Sequence, residues 1–231
     1  MLGLVSCGPG GPTGYVARSV IYQHSREWLA VKLYHHTASH NARRVVALVH
    51  HLQLSVELVS VDFGTGEQRS PEFLAKNPNG KVPVLVDGDF ILWESTAIMA
   101  YLASKAGSTL APTDARARAD VDRWVAWVNT RFGSAASVCL FENVIKPFFG
   151  IGAPDDAALA KVRPELDACF SLLEKHLESQ DYLASSGLSI ADFAAYSIIG
   201  SREAWKLPVP AAGGSLARWA ERIGSLPAWN A

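Results

Sequence analysis

Glu94 and Ser95 stand where an apolar run, Phe90 to Trp93, gives way to a helical pattern. The first amides of a helix have no intrahelical partner and carry partial positive charge, so a carboxylate is welcome there. Ser95 can offer its hydroxyl and its amide to a ligand carboxylate, while Glu94 can accept from a ligand ammonium. Equally, serine is a common N-cap, and a glutamate beside it requires no ligand. Upstream, Val82-Pro83 opens a second apolar run. Proline has no N–H and is tolerated at the first position of a strand or in a sharp turn. A cis bond would turn the Val82 backbone toward a ligand, whereas a trans bond would make Pro83 an ordinary turn residue. Further on, Ser189 and Asp192 have capping-box spacing, with Asp in place of the usual Glu or Gln. Such a box contributes about 1 kcal/mol and is structural rather than catalytic.

Composition removes several classes. Cys7, Cys139 and Cys169 are scattered, with no CxxC and no Cys/His cluster, so no metal is expected. They read as structural thiols of a reducing, cytoplasmic compartment. A net charge of −1 without a basic run argues against nucleic acid. No stretch approaches the ~18 apolar residues of a spanning helix, so no membrane association is expected. Residues 1–28 begin with a loop-like GPGGPTG run and hold no acidic residue before Glu27. Arg18, Arg26 and several serines leave organelle targeting open, but no apolar region with a cleavage site follows. The expectation is a flexible extension.

The elements that position these residues follow from periodicity. Residues 30–34, AVKLY, suit a buried strand. Ala42, Val45, Val46, Val49 and Leu52 recur on one helical face, and residues 54–61 alternate with period two. This βαβ unit implies a parallel pair with a right-handed crossover. The polar stretch GTGEQRSPEF leaves room for one short helix. Val82 to Val86 and Phe90 to Trp93, joined by Asp87-Gly88-Asp89, read as an antiparallel hairpin. A helix from about Ser95 to Ser104 follows, with Ile98, Tyr101 and Leu102 on one side. The order βαβ-α-ββα is that of a thioredoxin-like α/β domain, over residues 29–107. Beyond a linker from Gly107 to Pro112 the pattern is helical, giving an all-α domain over 113–231. Its helices are expected at Asp120–Val138, Ala157–Glu178, from Ser189, and at Leu216–Ile223.

NPNGKVPVL, a DG turn and then WESTAIMAYL resemble the most characteristic part of the glutathione transferase family. KLYHHTASHNARRVVAL is similar to that family's first strand and helix, and GEQRSPEFLAKNPNGK to its connecting segment. SIADFAAY is similar to the capping box of its second domain, and ARWAERIGSLPAW to its C-terminal helix. The resemblance runs from about Lys32 to the end of the chain.

That resemblance implies glutathione as co-substrate and no metal. It implies a cis Pro83, with the Val82 backbone pairing the cysteinyl part. Glu94 and Ser95 would hold the γ-glutamyl end, and Lys81 and Gln68 the glycyl carboxylate; many serine-type members have His in place of Gln68. The family activates the thiol with a hydroxyl or cysteine near the end of the first strand, and the thiolate is the nucleophile. Counting back from Arg43-Arg44-Val45 places Ser39 on the catalytic serine of plant phi-like members, with Thr37 and His40 as alternatives. Tyr34 falls one place past the tyrosine position, and no cysteine occurs between Cys7 and Cys139. A hydrophobic electrophile is expected between the domains, with Trp124, Trp127, Phe132, Phe148 and Phe149 as candidate walls. Aromatic rings at helical spacing equally serve as core. The implied activity is addition of the thiolate to electrophiles by a homodimer. Alternatives on the same scaffold are a non-catalytic glutathione-binding module or a glutathione-dependent isomerase, dehalogenase or peroxidase.

Overall fold

The computed structural model describes residue 28 and residues 30–210 and 213–230. The expected extension and Cys7 therefore lie outside the described residues, except for Trp28. That ring is buried in the core, with the Lys105 ammonium 5.2 Å from its centroid.

Strand β1 (Val31–His35) alternates: Val31 and Leu33 are fully buried, and Lys32 and Tyr34 are half-buried. Helix α1 (His40–His51) buries Ala42, Val45, Ala47, Leu48 and Val49. The buried stripe is wider than the periodicity implied because α1 packs against α3 (Ser95–Lys105) and α8 (Ile190–Ile199). The sheet order is β2-β1-β3-β4, with β2 at Glu57–Ser60, β3 at Val84–Asp87 and β4 at Phe90–Trp93. β1 is parallel to β2 (Leu33 opposite Leu58) and antiparallel to β3 (Leu33 opposite Leu85), as the βαβ and hairpin patterns imply. Both β2 and β3 are shorter than expected. Pairing with β1 begins at Tyr34 opposite Val84, which leaves Val82 and Pro83 ahead of the ladder. Helix α2 (Pro71–Lys76) starts at Ser70, whose Oγ accepts the Phe73 amide at 3.2 Å.

The helix expected over 120–138 is much longer. It begins as α4 (Ala115–Trp127), because Asp114 accepts the amides of Arg116 and Ala117 at 3.0 and 2.9 Å. It continues through α5 (Gly133–Leu140) and α6 (Lys146–Phe149), ending where Gly150 adopts a positive φ of 63°. The joints between these pieces are π-helical turns at Val128–Phe132 and Phe141–Ile145. A Cβ on Gly133 would lie 2.7 Å from the Val128 carbonyl oxygen, so the first of these turns closes only around glycine. Helix α7 (Asp156–His176) is capped by Asp155. The four-residue α9 (Arg202–Trp205), too short to show periodicity, separates α8 from α10 (Ser215–Gly224).

The Ser189–Asp192 capping box is present at the start of α8. One Asp192 oxygen accepts the Ser189 amide at 2.9 Å and its hydroxyl at 3.1 Å. The other accepts the Leu183 amide and the Trp219 indole N–H, both at 2.9 Å. Burial pushes this carboxyl up, and these four donors act against that shift. Among the described residues no helix is long and apolar enough to cross a membrane.

Candidate active site

The site begins where β1 turns into α1. The Ala38 amide donates to His36 Nδ1 at 3.1 Å, and the Ser39 amide donates to the His36 carbonyl at 3.0 Å. The His36 ring stacks on Phe63 with centroids 4.2 Å apart. Ser39 has extended backbone and caps α1, its Oγ accepting the Ala42 amide at 3.2 Å. An accepting hydroxyl keeps its own proton for another partner. Thr37 is exposed in the turn. The His40 ring packs edge-on against Trp205 at 4.9 Å. Burial, then the charges of Arg44 and Arg43, lower its pKa to about 3, so it is a neutral imidazole at physiological pH.

A second wall is built by buried Asn77. Its Nδ2 donates to the Lys81 carbonyl at 2.7 Å, while its Oδ1 accepts the Asn79 amide at 3.0 Å. Gly80 has φ 61°, and a Cβ there would come 3.1 Å from the Gln68 carbonyl oxygen. Glycine thus lets the Glu67–Arg69 turn lie against the Lys81 loop. Gln68 Oε1 is buried with no partner among the described residues. A buried amide oxygen is costly to leave unpaired, so this one fits completion by a bound molecule. Lys81 is exposed, and the Val82-Pro83 bond is cis.

The third wall is the start of α3. Glu94 caps it with φ 73°, ψ 109°, a left-handed φ that costs a non-glycine residue about 1–3 kcal/mol. Such backbone strain concentrates at functional sites. Ser95 is buried, and Arg44 donates to its Oγ from Nε at 2.9 Å and from Nη2 at 2.6 Å. Arg44, Asn41 and Asn129 were not legible as site residues. The one sequence signal was an arginine beside the apolar stripe of α1, next to Val45.

The expected electrophile wall is arranged differently. Phe132 is fully buried between Trp127 and Phe170, at 5.8 and 5.6 Å, so it cannot wall a pocket. Trp124 packs on His176 at 4.6 Å, placing these rings on the α7 side of the helical region. Phe148 and Phe149, by contrast, are 80% and 61% exposed at the end of α6. No group of three or more His, Cys, Asp or Glu side chains able to hold a metal occurs among the described residues.

A serine-capped helix and a cis-proline turn on a thioredoxin-like sheet, with helices behind it, define a class of fold. Family comparison narrows that class: the Glutathione S-transferase N-terminal domain model matches residues 29–104, and its C-terminal domain model matches 135–227. Glutathione S-transferase 3 of Zea mays is 36% identical over 206 residues, covering 87% of this chain and 91% of that one. Glutathione S-transferase theta-3 of Mus musculus is 32% identical, covering 84% of this chain and 82% of that one. A theta class glutathione S-transferase of Xanthomonas axonopodis pv. citri, solved with glutathione bound, superposes with a TM-score of 0.77 at 26% identity. The match covers 87% of this chain and 95% of that one. The chain belongs to the glutathione S-transferase family, and its activity is that of a glutathione transferase.

Proposed function

We propose that this chain binds glutathione across the three walls and adds its thiolate to a hydrophobic electrophile, with Ser39 as the residue that activates the thiol. The observation that carries the reading is the Ser39 cap. Its Oγ accepts the Ala42 amide, which leaves its O–H to donate to a sulfur at the positive end of α1. A donor to the thiolate and the partial charge of the helix both favour the ionised form, raising the reactive fraction at neutral pH. Thr37 lacks this placement, and His40 is turned against Trp205. The backbone of Val82 takes the cysteinyl part, Gln68 and Lys81 the glycyl carboxylate, and Glu94 and Ser95 the γ-glutamyl end. The strained backbone of Glu94 supports the placement at the γ-glutamyl end.

The electrophile is placed against the exposed rings of Phe148 and Phe149. The preceding π turn reaches the α1 side of the site through Asn143, which donates to the Trp205 carbonyl at 3.1 Å. The same reading makes the protein a cytoplasmic homodimer. Free Cys139 and Cys169 suit a reducing compartment, and the exposed Phe90, Ile91 and Trp93 of edge strand β4 suit cover by a second copy. Sizing chromatography at the monomer mass overturns the dimer.

Retention on immobilised glutathione combined with turnover of a standard aromatic electrophile tests the reading. Both are expected of the native chain. Ser39→Ala is expected to remain on the resin while losing about 10- to 100-fold in kcat, the range for a hydrogen bond to a charged group. Retention without turnover by the native chain overturns the catalytic reading, and unchanged turnover in Ser39→Ala moves thiol activation to Thr37 or His40.

A further inference from the structure

His40 is the first residue of α1, directly after Ser39. Its ring is half-buried and meets the Trp205 ring edge-on at 4.9 Å. Neither ring nitrogen has a hydrogen-bond partner among the described residues, and neither is sealed from the surface. Both are therefore open to a bound molecule. Trp205 is tied in turn to the second π turn, whose Asn143 donates to its carbonyl at 3.1 Å. Contacts thus run from Ser39 through His40 to the helical run that ends in exposed Phe148 and Phe149.

The chemistry of the ring follows from its charge. Burial, then Arg44 and Arg43, hold its pKa down at about 3, so at neutral pH it carries one N–H and no charge. A neutral imidazole polarises a carbonyl by donating that N–H without giving the proton away. Its surroundings decide what it faces best. The unpaired amides at the start of α1 and the two guanidinium groups nearby all favour a group that gains negative charge. A donor aimed at such a group counts most when the charge develops only in the transition state.

We propose that His40 is a catalytic residue toward α,β-unsaturated carbonyl electrophiles: its imidazole N–H bonds the carbonyl oxygen and stabilises the enolate formed as the thiolate adds. The sulfur lone pair makes the S–C bond at the β-carbon, and the C=C pair shifts to put the charge on oxygen. Water then returns, at the α-carbon, the proton that the thiol lost on ionising, and the carbonyl re-forms. The inference rests on glutathione activation at Ser39 and names a substrate class for that site. Ser39 acts on the sulfur, and His40 acts on the electrophile.

The test compares 4-phenylbut-3-en-2-one, an enone, with benzyl iodide, whose charge passes to a leaving iodide that accepts hydrogen bonds weakly. The readout is the ratio of the two kcat values at saturating glutathione. His40→Phe keeps an aromatic ring against Trp205 but removes the N–H. It is expected to lower the enone-to-iodide ratio at least about tenfold, in kcat more than in KM. That is less than the full effect of an oxyanion donor, because water reaches a half-buried ring. His40→Gln, which restores an N–H donor, is expected to recover part of the ratio. A His40→Phe enzyme slowed equally toward both electrophiles, with the native ratio intact, makes His40 a packing residue and overturns the inference. A native enzyme that turns over benzyl iodide but not the enone also overturns it, and leaves the transferase reading standing. A native enzyme that turns over no electrophile overturns that reading and the inference together. Should His40→Phe not fold, His40→Leu is read in the same way.

Discussion

At the scale of single residues, three neighbours that sequence reading held open acquire different chemistry from their surroundings. Ser39 keeps an O–H to give because its oxygen is already accepting from Ala42. Thr37 is exposed, and His40 is enclosed against Trp205 and beside two arginines. The His40 environment has a measurable consequence. With its pKa lowered to about 3, the folded protein keeps His40 neutral while the unfolded chain protonates it near the ordinary value of 6.5. The unfolded state therefore binds the extra proton, and stability is lost as pH falls below that value and on toward the lowered one. The slope approaches about 1.4 kcal/mol per pH unit for this one group. His40→Gln is expected to remove that slope from the pH dependence of urea unfolding between pH 6 and 4. An unchanged slope would place the ionisation on another group. The identity of the three candidates was readable in HHTASH, but their ranking depends on which ring faces Trp205, a residue 165 positions further along.

Among the elements, the most consequential feature is the one that periodicity hides. The expected helix over 120–138 has apolar residues at ordinary α spacing, yet the chain inserts two π turns into a continuous helical run from Ala115 to Phe149. A π turn shifts the register of every side chain after it, and such bulges occur frequently at functional sites. The first carries Asn129 to Arg44 and Thr96, so it joins the helical region to the Ser95 wall. Its closure requires Gly133, whose Cβ would meet the Val128 oxygen at 2.7 Å. Gly133→Ala is thus expected to cost about 1–3 kcal/mol as an overpacked site, although alanine is normally the better helix former. Thermal unfolding checks the loss, and the displaced Asn129 is expected to raise KM for glutathione. A more stable Gly133→Ala protein would mean that the turn relaxes without penalty.

Across the whole molecule, α1 is held between the sheet and the helical region, and its site-forming end is only as fixed as α8 behind it. Asp192 ties the Leu183 loop, the α8 cap and Trp219 of α10 together with four hydrogen bonds in the buried interior. Asparagine supplies one oxygen for these donors, so Asp192→Asn strands buried N–H groups and is expected to cost about 2–4 kcal/mol. Urea unfolding measures it, and a loss below about 1 kcal/mol would show the hub to be dispensable. The capping box, the βαβ unit, the DG hairpin and the NPNGKVPVL…WES segment were all determined by sequence. Each is a local pattern, set by spacing and by the special backbone needs of Gly, Pro, Ser and Asp. Only the tertiary structure decided that Arg44 is buried under Ser95, that Phe132 is sealed inside, and that Asp192 reaches Trp219. Those outcomes depend on which distant segments meet, and residue spacing along one segment carries no record of its neighbours from another.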